Sequence, residues 1–101
     1  MKDKKSTLLV ISHSGPLRVF ITELLISAGE YKIFSAANET RGVELISREI
    51  PNLIVLDIMT PRTEEYQITW LLHSADKQHI PIIILSTGGV QQHFREKPDL
   101  K

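Results

Sequence analysis

The sequence predicts an α/β domain built on a parallel sheet with helices on both faces, and three observations carry that prediction. Short apolar runs rich in β-branched residues recur at Thr7–Ile11, Leu53–Leu56 and Pro81–Leu85. Their hydrophobicity is continuous rather than alternating, as expected of strands covered on both faces. Segments with helical spacing lie between them, joined by short loops, which implies right-handed crossovers between parallel strands.

The first run, Thr7–Ile11, is the predicted first strand. A helix follows, with Leu17, Phe20, Ile21, Leu24, Leu25 and Ala28 at helical spacing, Ser14-Gly15-Pro16 as a start signal and Gly29 as a stop. Tyr31-Lys32-Ile33-Phe34-Ser35 alternates in polarity and reads as an edge strand. The next helix runs from about Glu39 to Ile50, with Val43, Ile46 and Ile50 on one face, Asn38 as N-cap and Pro51 beyond its end. After the Leu53–Leu56 strand, a third helix opens near Thr63, places Glu64 and Glu65 in its first turn and carries Ile68, Leu71, Leu72 and Ala75 on one face. Pro81–Leu85 closes the order β-α-β-α-β-α-β. Residues 6–89 are expected to form the core of a single domain spanning residues 1–101, with residues 90–101 as a polar tail.

Composition narrows the function classes. The chain has 101 residues, 12 Lys+Arg against 12 Asp+Glu, a pI near 6.9 and no cysteine. Balanced charge argues against the broad basic footprint of a nucleic-acid-binding domain. Without cysteine there is no disulfide framework, thiolate metal site or thiol nucleophile. The apolar stretch after the charged amino terminus, Leu8-Leu9-Val10-Ile11, is shorter than a secretory core, and no run approaches the ~20 apolar residues of a membrane span. A cytoplasmic protein without membrane contact is expected.

In parallel α/β sheets the functional crevice lies beyond the carboxyl ends of the strands. The residues there are Ser12-His13-Ser14, Asp57 and Ser86-Thr87. His13 and Asp57 fall on adjacent strands and read as a carboxylate–imidazole pair or as exposed groups; two ligands are too few for a tight metal site. His73, His79 and His93 have no partner at ligand spacing and read as surface residues. A Ser/His/Asp triad is disfavoured, because no G-x-S-x-G elbow is present and adjacent strand residues point to opposite faces. Gly88-Gly89 is not followed by the Lys-Ser/Thr of a phosphate loop. Tyr66, Trp70 and His73 form a stripe on the third helix that either broadens its packing face or meets a partner.

Leu53-Ile54-Val55-Leu56-Asp57-Ile58-Met59-Thr60-Pro61 resembles the third strand and following loop of response-regulator receiver domains. Pro51-Asn52-Leu53 resembles the segment leading into that strand. Ile80-Pro81-Ile82-Ile83-Ile84-Leu85-Ser86 resembles the fourth strand with its terminal hydroxyl residue. The resemblance covers about residues 6–89 and implies a flavodoxin-like, doubly wound sheet of order 2-1-3-4, truncated, with the fifth strand and last helix missing or rebuilt. It implies that Asp57 is the phospho-acceptor position, taking a phosphoryl group from a histidine kinase. Ser86 then contacts the phosphoryl group as the switch residue, and the backbone carbonyl of Met59 is a magnesium ligand alongside Asp57. Such transfer requires the phosphoryl charge to be neutralised by a metal and a cation.

Two departures shape the expectation. The acidic pair that ends the family's first strand is replaced by Ser12 and His13, which offer no carboxylate to a hard cation. Lys97-Pro98 resembles the Lys-Pro pair after the family's fifth strand, with Lys97 as the phosphate contact, yet only ten residues separate Ser86 from Lys97. Without a fifth strand, Ile82, Ile83, Ile84 and Leu85 would form an open apolar edge, a pattern that proteins normally cover. Loss of the last helices would also uncover apolar surface beside the first helix. The expectation is a degenerate receiver without cofactor or enzymatic activity. It would act as an interaction module, homodimeric through the fourth-strand region with Trp70 available to a partner, and phosphorylation at Asp57 would be weak or lost. The alternative is a working phospho-acceptor of a phosphorelay.

Overall fold

The computed structural model describes residues 5–59, 66–86 and 89–93. Strands β1 (Ser6–Ile11), β2 (Tyr31–Ala36), β3 (Leu53–Asp57) and β4 (Ile82–Ser86) alternate with helices α1 (Gly15–Ala28), α2 (Glu39–Glu49) and α3 (Tyr66–Lys77). They form a parallel sheet in the order β2-β1-β3-β4. The expected topology is thus the observed one. The predicted start of α3 at Thr63 lies outside the described residues.

Both complete helix starts are set by side chains identified in the sequence. Ser14 caps α1, its Oγ accepting from the Leu17 N–H at 3.2 Å, and Asn38 caps α2, its Oδ1 accepting from the Arg41 N–H at 2.8 Å. Each satisfies a backbone donor that the first turn leaves without a helical partner. Helix α2 ends at Ile50, which adopts left-handed backbone angles (φ 44°, ψ 67°) while its N–H closes on the Ile46 carbonyl.

Strand alternation divides the core into two layers. Leu9, Ile11, Ile54, Leu56 and Ile82 point to one face and pack with Leu45 and Ile46 of α2 and Leu71 and Ala75 of α3. Val10 and Val55 point to the other face and meet Ile21, Leu17 and Leu25 of α1. That second layer is thin, because α1 is the only described helix on it and lies over β1 and β2. The predicted apolar face of α1 is therefore only partly used: Ile21 is buried, whereas Phe20 and Leu24 are 58% and 53% exposed.

A fifth strand, β5 (Gly89–His93), runs antiparallel along β4, with Ser86 opposite Gly89 and Ile82 opposite His93. This corrects two sequence expectations. Residues 90–93 are strand rather than polar tail, and β4 is not an open edge, since β3 and β5 flank it. Ile82 is buried and Ile83, Ile84 and Leu85 are partly buried, so edge pairing of two chains through β4 is closed. Gly-Val-Gln-Gln-His lacks the apolar run that marks the other strands, and it pairs through the backbone groups that the edge of β4 offers. The fifth strand is thus rebuilt as a hairpin partner.

Candidate functional site

The carboxyl ends of β1 and β3 bring Ser12 and Asp57 together. The ladders hold both ends in place: the Ser12 N–H donates to the Ala36 carbonyl at 3.1 Å, and the Ile58 N–H donates to the Leu85 carbonyl at 2.9 Å. Ser12 and Asp57 are both completely buried. The Ser12 hydroxyl lies 2.9 Å from Asp57 Oδ2 and 3.2 Å from the Ser14 carbonyl. It has one proton to give, and the shorter, carboxylate contact is the stronger acceptor. The same Oγ accepts the Ser14 N–H at 3.1 Å, while Asp57 Oδ1 accepts the Met59 N–H at 2.7 Å. Each carboxylate oxygen of Asp57 thus has a donor from the protein.

His13, the next residue, turns the other way. Its Nε2 lies 2.8 Å from Oε1 of Glu39, a completely buried side chain in the first turn of α2. Of the two readings of His13, exposure is the observed one and pairing with Asp57 is not: Ser12 takes Asp57, and His13, exposed, takes Glu39. Nothing in the local sequence marks Glu39, whose role depends on α2 starting beside the end of β1. Arg18 was equally hidden; from the first turns of α1 its Nη1 donates to the Ser12 carbonyl at 2.8 Å.

Ser86 ends β4 one residue beyond Leu85, the register partner of Asp57, and is partly buried at the same end of the sheet. Met59 follows the site and is exposed, as is Trp70 on α3. Lys97 lies outside the described residues.

Magnesium does not fit this donor set. It favours oxygen ligands that include carboxylates, with octahedral room for water. Here Asp57 is buried and engaged by Ser12 and Met59, and His13 is turned to Glu39. No cluster of three or more His, Asp or Glu side chains able to hold a metal occurs among the described residues. No described helix is long and apolar enough to cross a membrane.

The sheet topology, with a buried aspartate at the end of β3, is that of the receiver fold. The solved receiver domain of NtrC4 from Aquifex aeolicus shares the fold, with a TM-score of 0.58 and 16% identity over 92% of this chain and 84% of that one. In sequence, the chain is similar to a protein described as histidine kinase P4 from Formosa agariphila, 32% identical over 85 residues, which are 83% of this chain and 6% of that protein. It is also similar to response regulator Rre1 of Synechocystis, 28% identical over 85 residues, again 83% of this chain and 37% of the relative. The chain thus spans only a small part of these two relatives. No protein-family model matches it. The relatives are response-regulator and receiver proteins, and the sheet matches that of a receiver domain.

Proposed function

We propose that the chain is a degenerate receiver of two-component signalling, a cytoplasmic protein–protein interaction module in which phosphoryl transfer to Asp57 is weak or lost. The observation that carries this reading is the hydrogen bond from Ser12 Oγ to Asp57 Oδ2. A carboxylate attacking phosphorus must present a free oxygen to the donor, with cationic charge beside it to neutralise the transferring group. In place of a metal-binding carboxylate, Ser12 supplies a neutral donor that occupies one of those oxygens. Receiver-type relatives point to histidine kinases and other two-component proteins as the partner class, and the exposed Trp70 offers an aromatic contact on α3.

The module is taken to be homodimeric. Because β5 occupies the edge of β4, such a dimer uses another surface.

Calorimetric titration with magnesium chloride tests the reading. The wild-type chain is expected to give no saturable binding heat, and Ser12→Asp, which restores a carboxylate beside Asp57, is expected to gain it. Saturable binding to the wild-type chain, abolished by Asp57→Asn, would overturn the reading in favour of a working phospho-acceptor.

A further inference from the structure

Helix α1 leaves a second stripe outside its core contacts, alongside β2. Its core contacts are Leu17, Ile21 and Leu25. Gly15, Val19, Thr22 and Ile26 follow spacings of four, three and four residues, the d-a-d-a pattern of a coiled-coil seam. At roughly 100° per residue the centre of this seam lies about 130° around the helix from the core contacts. Val19 and Ile26 are 56% and 58% exposed. A groove of about 270 Å³ runs along the stripe, lined by Arg18, Val19, Thr22, Glu23, Ile26 and Ser35 of β2.

We propose that this seam is where two copies of the chain associate, through parallel, side-by-side packing of α1 against α1 of the second copy. The proposal rests on the homodimer reading above and supplies its surface. Charge placement selects the occupant and the direction. Arg18 precedes the seam residue Val19 and Glu23 follows Thr22, so they are the g and e positions, five residues apart. In a parallel pair, g of one helix meets the following e of the other, which brings Arg18 against the second copy's Glu23 twice across the two-fold axis. In an antiparallel pair, g faces g and e faces e, which opposes like charges. In the single chain Arg18 donates to the Ser12 carbonyl at the amino-terminal end of α1, and in the pair it exchanges that contact for the second copy's Glu23.

Two further features suit a second copy. The seam opens on a glycine and carries a threonine between its two aliphatic residues, which lets the helices approach closely, and the chain has no net charge to oppose self-association. Two heptads alone make a weak coiled coil, but α1 is already formed by packing on the sheet. Association therefore does not bear the cost of ordering the helix. Because core and seam lie on well-separated sides of α1, the two sheets project to opposite sides of the contact.

The chain has no cysteine, so single replacements report the contact directly. Val19→Cys and Thr22→Cys, each facing itself across a parallel seam, are expected to form covalent dimers on oxidation, while Arg48→Cys on α2 is not. Light scattering should give a dimer for the wild-type chain at micromolar concentration, weakened about tenfold or more by Ile26→Asp. Glu23→Arg should also weaken it, and Arg18→Glu combined with Glu23→Arg should restore it; circular dichroism on each variant establishes that the fold is kept. A wild-type monomer, equal cross-linking of Arg48→Cys, or a dimer indifferent to folded Ile26→Asp and Glu23→Arg overturns the proposal. Magnesium binding or phosphate uptake with the dimer intact would remove the degenerate reading and leave the seam standing.

Discussion

Ser12 Oγ and Asp57 Oδ2 lie 2.9 Å apart in a site from which water is excluded on both residues. The contact joins the ends of two neighbouring strands. A hydrogen bond to a buried carboxylate contributes more than a neutral one, about 1.5–3 kcal/mol. Ser12→Ala is therefore expected to lower unfolding free energy by about that amount in a urea titration. A cycle with Asp57→Ala and the double variant should return a coupling of at least ~0.5 kcal/mol. Independent, additive effects would mean that the two side chains do not depend on each other.

His13 and Glu39 form the second link at this end of the sheet, between the β1 terminus and the first turn of α2. Removing the imidazole leaves a carboxylate that is fully buried without its 2.8 Å donor, so His13→Ala should cost about 1–3 kcal/mol. Glu39→Gln keeps an oxygen that accepts from His13 and should cost less. Equilibrium unfolding of the two variants checks this order; equal stability of His13→Ala and wild type would show that the link contributes nothing.

Gly42 lies in α2 where the helix crosses β1. A Cβ there would sit 2.6 Å from Ile11 Cδ1 and 3.3 Å from Leu71 Cδ1, inside a packed layer. Helix propensity favours alanine over glycine by about 1 kcal/mol, while overpacking of a core costs about 1–3 kcal/mol. The second effect wins, so Gly42→Ala is expected to lower the melting temperature despite the better helix former.

Ile50 shows the opposite case. It is exposed and holds φ 44°, a conformation that is strained for a β-branched residue, and it stands where helices prefer glycine. Ile50→Gly should raise stability by roughly 0.5–1 kcal/mol, visible as a higher urea midpoint with an unchanged slope.

The sequence made the parallel strands legible because burial on both faces requires continuous apolar runs, as in Leu53–Leu56 and Ile82–Leu85. Asp57 was legible because it ends one of those runs. The β5 pairing was not, since Gly89–His93 is recruited by the edge of β4 rather than by its own hydrophobicity. The split between Ser12–Asp57 and His13–Glu39 was hidden for a related reason. It depends on where α2 begins, 26 residues after His13, and no local pattern encodes that distance. Helix α1 misled in the other direction: it is apolar on several sides, so its spacing alone did not distinguish the face on the sheet from the face in solvent.

The central claim is that the serine at the end of β1 has converted a phosphoryl-accepting site into a structural one. Intact-mass spectrometry after incubation with acetyl phosphate and magnesium tests it most directly. The account predicts an unchanged mass for the wild-type chain and a gain of one phosphoryl group for Ser12→Asp. A phosphoryl gain on the wild-type chain that disappears in Asp57→Asn would contradict it.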